Sequence, residues 1–235
     1  MQLTKIQTLE ANLVLLSGLR IGASEGEIRI GGVDNQVIRN PHSDEPYIPG
    51  SSLKGKVRSL LEWRSGAVRS EPLGIKDISD RHPGVKPILQ LFGVGGGDQL
   101  SDDQAMEIGP TRLAFWDAPL RRDWVSQIKD RNLMLTEVKT ENRIDRIKGV
   151  AEHPRQTERV PEGAEFDFRL SFKVLDVDGD GAVLRRTLFN GLRLLEMDSL
   201  GGSGSRGYGK LKLRNMRLDG ADVQSEFDAV DPFAS

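Results

Sequence analysis

The sequence predicts an α+β fold, and three observations carry that prediction. Two segments alternate apolar and polar residues with period two, as half-buried strands do. Two others repeat leucine and valine at helical spacing, as helices docked on a sheet do. Along the chain the elements run strand, helix, strand, strand, helix, strand, with long polar insertions between them. That order is the split βαβ, ferredoxin-like arrangement.

Gln7 to Leu16 reads as the first strand, with Leu9, Ala11, Leu13 and Leu15 on one face and Glu10 and Asn12 on the other. The glycines of Ser17-Gly18-Leu19-Arg20-Ile21-Gly22 mark a turn at its end. A long polar stretch follows around Gly31-Gly32-Val33-Asp34-Asn35, and such loops inside compact domains are often functional. Pro49-Gly50-Ser51-Ser52-Leu53 opens a helix, with Ser51 or Ser52 expected as its cap. Leu53, Val57, Leu60 and Leu61 form its apolar stripe. Residues 64–105, rich in Gly, Pro and charge, are expected to be a loosely organised, lid-like insertion with one helical turn at Ile88 to Phe92. Met106 to Asp117 is expected to be the second strand.

Residues 132–163 are too polar for a core and too patterned for a linker. They read as a projecting hairpin whose isolated Ile144, Ile147 and Val150 touch a partner; a plain charged surface hairpin is the other reading. Ala164 to Asp176 is the clearest strand, with Phe166, Phe168, Leu170, Phe172 and Val174 alternating with polar residues. Asp176-Val177-Asp178-Gly179-Asp180-Gly181 begins like a calcium loop. Its twelfth position is Thr187, not a bidentate Glu, and no helix precedes it, so a plain turn is expected. Leu184, Leu188, Leu192 and Leu195 stripe the second helix, and Lys210 to Leu218 reads as the last strand. Residues 220–235 are expected to form a mobile acidic tail on a single domain spanning 1–235.

Composition narrows the function. The 235 residues are 37% hydrophobic and 29% charged, with no Cys, three His and a formal net charge of −2. A disulfide framework and a Cys-ligated zinc are excluded, and no zinc is expected. No apolar run is long enough to span a membrane and no signal-peptide pattern opens the chain, so a cytoplasmic protein without membrane contact is expected. A near-neutral chain argues against a diffusing, non-specific nucleic-acid binder but permits one with a basic face.

The chemistry concentrates in Leu200-Gly201-Gly202-Ser203-Gly204-Ser205-Arg206-Gly207-Tyr208-Gly209-Lys210. Open backbone N–H groups, hydroxyls and an Arg suit a phosphate chain. A simple helix-to-strand connection is the other reading. Gly204-x-x-x-x-Gly209-Lys210 and Gly50-x-x-x-x-Gly55-Lys56 resemble nucleotide loops, but Leu211 and Val57 stand where a magnesium-binding hydroxyl belongs, so an NTPase is excluded. Lys54 and Arg58 sit near the positive end of the first helix, as a phosphate site or as a solvated basic face. Asp34 is either a turn residue or an exposed carboxylate able to orient a nucleophile or recruit a divalent metal. RNA-recognition (RRM) domains share the split βαβ layout, but their base-stacking aromatic pattern is absent, so binding on the sheet face is not expected.

Ile30-Gly31-Gly32-Val33-Asp34-Asn35, Ile48-Pro49-Gly50-Ser51-Ser52-Leu53-Lys54-Gly55-Lys56-Val57-Arg58, Glu141-Asn142-Arg143-Ile144-Asp145-Arg146, Arg159-Val160-Pro161 and the late Gly-rich loop, taken in order, resemble the backbone subunit of type III-A CRISPR (Csm) effector complexes, within the RAMP superfamily. The resemblance implies a ferredoxin-like palm with a thumb hairpin over 132–163, stacked with further copies of itself along a guide RNA beside other Csm-type subunits. It implies cleavage of base-paired target RNA at regular intervals, dependent on Mg²⁺ or another divalent cation, with Asp34 as the catalytic and metal-holding residue. It implies RNA contacts from Arg20, Ser51, Ser52, Lys54, Lys56 and Arg58; from Asn142, Ile144, Arg146, Arg155 and Arg159; and from Gly202, Ser203, Gly204, Ser205, Arg206 and Gly207. Many relatives carry His where this chain has Arg20, and an always-charged Arg is a poor proton-transfer group. A silent RNA-binding scaffold and an endonuclease that matures guide precursors remain as alternatives.

Overall fold

The computed structural model describes residues 1–22, 35–95 and 100–234. In chain order the strands and helices are β1 (Leu3–Leu15), β2 (Tyr47–Ile48), α1 (Gly50–Ser65), α2 (Val85–Phe92), α3 (Asp102–Ile108), β3 (Leu113–Phe115), β4 (Ala118–Pro119), α4 (Arg122–Asp130), β5 (Glu137–Ile144), β6 (Ala151–Arg159), β7 (Glu165–Leu175), α5 (Ala182–Met197), β8 (Leu211–Leu218), β9 (Ala221–Asp222) and α6 (Gln224–Asp228).

Hydrophobic alternation fixes the main sheet. Its order is β3-β7-β1-β8-β9, antiparallel throughout. Leaving aside the short β9, this is the ferredoxin-like arrangement, with the first and third strands of the split βαβ unit central. Leu9 faces Leu170 and Leu13 faces Phe166 across the β1–β7 pair, and Leu13 faces Leu213 across β1–β8. A slip of one residue would turn all of these outward, so the pattern sets the register. The leucines of α1 and α5 join them in one core, with Leu53, Val57, Leu188 and Leu192 all at 1% exposure or less.

Several sequence expectations need correction. β1 begins at Leu3, not Gln7. Pro49, not a serine, caps α1, with no side-chain cap bond; Ser51 and Ser52 lie inside the first turn. The described part of the 64–105 insertion is not loosely organised: Leu73, Val85 and Leu89 close a small second core with Ile108. The expected strand from Met106 is shortened, because Ser101 and Gln104 form a capping box that starts α3 and carries it to Ile108. The residues after Gly220 are not a free tail, since Phe227 of α6 is fully buried edge-on against Phe189 at 5.6 Å. The aspartate-rich turn does leave the calcium reading excluded: Asp178 spends its carboxylate on the buried Arg112, at 2.8 and 3.0 Å.

Strand direction decides where the functional segments meet. β1 ends, β7 begins, α5 ends and β8 begins at the same edge of the layer, and α1 starts there as well. At that end the N–H of Leu16 donates to the Lys210 carbonyl (2.8 Å), and Leu19 and Val160 exchange backbone bonds of 2.8 Å. The β5–β6 hairpin springs from the same place, paired from Glu137↔Arg159 to Ile144↔Ala151, with a register shift between Glu141 and Arg143.

Candidate nucleic-acid interface

The Gly-rich loop is close-packed as well as open. The Gly202 N–H donates to the Arg20 carbonyl and the Gly209 N–H to the Gly18 carbonyl, both at 2.9 Å. A Cβ on Gly201 (φ +75°) would stand 2.3 Å from the Arg20 carbonyl oxygen, and one on Gly209 (φ +72°) 1.9 Å from that of Leu200. Any side chain at either position would collide with backbone, so the glycines here let the loop lie against the turn after β1. On this side the loop is a tight connection, and its far side is open to solvent. Gly202, Ser205, Arg206 and Gly207 are exposed there, with Ser203 and Gly204 half-buried. Ser203 Oγ accepts from Arg206 (2.8 Å), holding the guanidinium over the loop.

Between the loop and the hairpin runs a groove of about 780 Å³, lined by Glu141, Asn142, Arg143, Ile144, Arg146, Arg155 and Arg206. Four guanidiniums against one carboxylate make it a local cationic surface on a molecule of net charge −2. Beyond it the hairpin tip is apolar and exposed, with Ile144 at 56%, Ile147 at 96% and Val150 at 49%. The tip's turn is held by Asp145 Oδ1, which accepts from the N–H groups of Ile147 and Lys148 at 2.8 and 2.7 Å.

Tyr208 joins loop and hairpin. It is fully buried, and its hydroxyl donates to Glu141 (2.9 Å). Lys139 Nζ lies 4.7 Å and the Arg159 guanidinium 5.0 Å from its ring centre, within cation–π range. Glu141 also accepts from Arg206 (3.0 Å) and faces Lys139 (3.4 Å). Burial pushes the Glu141 carboxyl up, but the Tyr208 hydroxyl, Arg206 and Lys139 outweigh it and hold it below its ordinary value. Burial and the neighbouring carboxylate push the Tyr208 phenol up.

The other predicted residues divide. Arg58 does not face a ligand: it is turned inward onto Glu62 (2.7 Å) and the carbonyls of Gly93 (3.0 Å) and Leu73 (2.9 Å). Lys56 pairs with Asp198 (2.6 Å) at the root of the Gly-rich loop, tying α1 to it. Lys54 and Ser52 are half-buried and Ser51 is exposed on the first turns of α1. Arg159 is committed at the hairpin base, to Glu137 (2.7 Å) and Tyr208. Arg20 donates to Asn35 Oδ1 (3.0 Å), and its buried Nε has no hydrogen-bond partner among the described residues. Asp34 lies outside the described residues. Its neighbour Asn35 is held at the hairpin base, where its carbonyl accepts from the Glu158 N–H (3.0 Å). Among the described residues no group of three or more His, Asp or Glu side chains is placed to hold a metal. Among the described residues no helix is long and apolar enough to cross a membrane.

Sequence reasoning missed Tyr208, Glu141 and Arg143. A lone aromatic inside a glycine run was the one available signal for Tyr208.

The chain belongs to the RAMP superfamily, whose model matches residues 12–212, from β1 to β8. It is 39% identical over 234 residues to the CRISPR system Cms endoribonuclease Csm3 of Methanothermobacter thermautotrophicus, covering 93% of this chain and 87% of that one. It is 41% identical over 214 residues to the protein of the same name from Streptococcus thermophilus, covering 88% and 86%. These relatives place it in the Csm3 branch of the superfamily. Among solved structures it resembles a chain of the Csm3-Csm4 subcomplex of the type III-A CRISPR-Cas interference complex (TM-score 0.58, 25% identity, 98% and 99% covered). It also resembles Csm3 of Methanopyrus kandleri (TM-score 0.57, 27% identity, 89% and 75% covered).

Proposed function

We propose that this chain is the guide-RNA-binding backbone subunit of a type III CRISPR ribonucleoprotein, and that within the assembled complex it cleaves base-paired target RNA at regular intervals. The observation that carries the reading is the arginine-lined groove between the Gly-rich loop and a hairpin with an apolar tip. Arg143, Arg146, Arg155 and Arg206 offer charge-assisted hydrogen bonds to RNA phosphates. The exposed backbone of residues 202–207, with the hydroxyls of Ser51 and Ser52 and the ammonium of Lys54, extends the grip along the guide. Ile144, Ile147 and Val150 at the tip suit insertion between base pairs. Further copies of the chain and other Csm-type subunits complete the filament, which works in the cytoplasm. Sequence is read by guide–target pairing, and the protein reads backbone and shape.

Cleavage then follows from geometry. A target nucleotide displaced by the hairpin tip can align its ribose 2′-oxygen with the adjacent phosphorus. Attack by that oxygen, its proton passing to solvent water, forms the P–O2′ bond and breaks the P–O5′ bond; the 5′-oxygen leaves as a hydroxyl after taking a proton from water, and a 2′,3′-cyclic phosphate remains. Asp34, next in the chain to the anchored Asn35, orients the strand at that step. Asp34 would be the residue that offers a carboxylate to a magnesium ion. When bound, such an ion supplies charge neutralisation at the scissile phosphate.

The test is target RNA incubated with assembled complex and Mg²⁺. Evenly spaced cutting is expected from the wild type, and loss of cutting with guide and target still bound is expected from Asp34→Ala. No periodic cutting by the wild type, or cutting unchanged by Asp34→Ala, would instead favour a silent scaffold. Metal-free cutting of a guide-precursor hairpin by the lone subunit would favour a processing endonuclease.

A further inference from the structure

A lone carboxylate in a groove meant for a polyanion repels its ligand and needs a reason. Glu141 has three partners: the Tyr208 hydroxyl at 2.9 Å, Arg206 at 3.0 Å and Lys139 at 3.4 Å. Of these, Tyr208 is fully buried, whereas Arg206 is 59% exposed at its side chain. The exposed ion pair contributes little on its own. The buried hydroxyl–carboxylate bond is charge-assisted and shielded, so it is the stronger element. Tyr208 in turn carries Lys139 and Arg159 on its ring, one from each strand of the hairpin. Arg159 also lies against Gly18, where an added Cβ would stand 2.5 Å from its side chain. The hairpin base, the Gly-rich loop and the turn after β1 therefore meet at one aromatic ring.

We propose that Tyr208 and Glu141 are positioning residues: their bond sets the angle of the hairpin relative to the Gly-rich loop, and through it the place where the hairpin tip enters the RNA. The inference rests on the proposed reading of the groove as the RNA site. Arg206 is free to exchange Glu141 for a phosphate while the Tyr208–Glu141 bond persists, so RNA can load without releasing the joint.

The chain contains no Cys, so spin labels can be placed at Ile147→Cys on the tip and Val183→Cys on α5, both of them exposed. Distance distributions between them report hairpin angle without any RNA. A single narrow distribution is expected for the wild type. Tyr208→Phe, which removes only the hydroxyl, should broaden it at least twofold. Glu141→Gln, which can still accept from Tyr208, should broaden it less. In assembled complexes Tyr208→Phe should retain guide at wild-type stoichiometry yet cut target at least tenfold more slowly, with cuts spread over neighbouring phosphodiesters. Unbroadened distances, or unchanged cut positions and rates, would overturn the proposal. So would parallel loss of guide, cutting and melting temperature, since that pattern marks a merely structural tyrosine. A wild-type complex that carries no RNA sinks the proposed function instead, and leaves the distance measurement to decide the joint by itself.

Discussion

Arg58 shows how a single side chain can be misread from its neighbours in sequence. Its spacing from Lys54 and its place in the first helix suggest a phosphate ligand. In the fold its guanidinium caps two carbonyls of the 64–105 insertion and pairs with Glu62, whose own carboxylate accepts from the Leu73 N–H at 3.2 Å. The side chains are 15% and 9% exposed, so neither charge has bulk water as a substitute partner. Arg58→Ala strands the Glu62 carboxylate and two carbonyls. We expect it to lose about 2–3 kcal/mol in a denaturant titration, somewhat below the cost of breaking a fully buried pair. Arg58→Lys should recover little, because an ammonium cannot span the three acceptors as the guanidinium fork does. An unchanged unfolding midpoint with weakened RNA binding would restore the phosphate role.

Among the elements, those with a strong internal period are legible in the amino-acid sequence. β1, β7, α1 and α5 announce themselves because each buries one face, and burial imposes alternation or a leucine stripe. What the sequence hides depends on contacts between residues far apart along the chain. α6 reads as tail because a single Phe227 carries its packing against Phe189. α4 is easily passed over because it is short: Trp124, Val125 and Ile128 share one face, but only Val125 is fully buried. The hairpin is visible as charged and patterned, but not the way its base is pinned. Glu158 of β6 does the pinning, accepting from the Val37 N–H (2.9 Å), the Thr136 hydroxyl (2.8 Å) and Arg39 (2.5 Å). Burial pushes its carboxyl up, but these three partners outweigh it and hold it below the ordinary 4.5. A carboxyl depressed in the folded state adds stability that is complete above its unfolded value and is lost as pH falls through the folded one. Unfolding free energy should therefore fall with acid below pH 4.5, and Glu158→Gln should flatten that fall while lowering stability near pH 7 by about 2 kcal/mol. Denaturant titrations of both proteins across that window test it. Parallel pH profiles would mean that the carboxylate is not what pins the hairpin.

For the whole molecule the question is how a chain with 33 Lys and Arg against 35 Asp and Glu can hold a polyanion. Long-range attraction is unavailable to it, so binding has to come from cations gathered where the strand lies. The split βαβ topology does the gathering: it brings the end of β1, the root of the hairpin and the loop before β8 to one end of the sheet. The groove that opens beside that junction is lined by Arg143, Arg146, Arg155 and Arg206. If each neutralises one phosphate of single-stranded RNA, the logarithm of the binding constant should fall with the logarithm of salt at a slope of about −3, from about 0.7 per phosphate. Arg206→Ala should reduce that slope by less than one contact's share, because in the free chain Arg206 is already paired with Glu141 and must exchange one anion for another. Arg155→Ala, which breaks no ion pair among the described residues, should reduce it by the full share of about 0.7. Titrations of labelled RNA over a salt series decide the point. A wild-type slope near zero would place the RNA elsewhere, and equal effects of the two substitutions would show that the Glu141 pairing of Arg206 does not persist in solution.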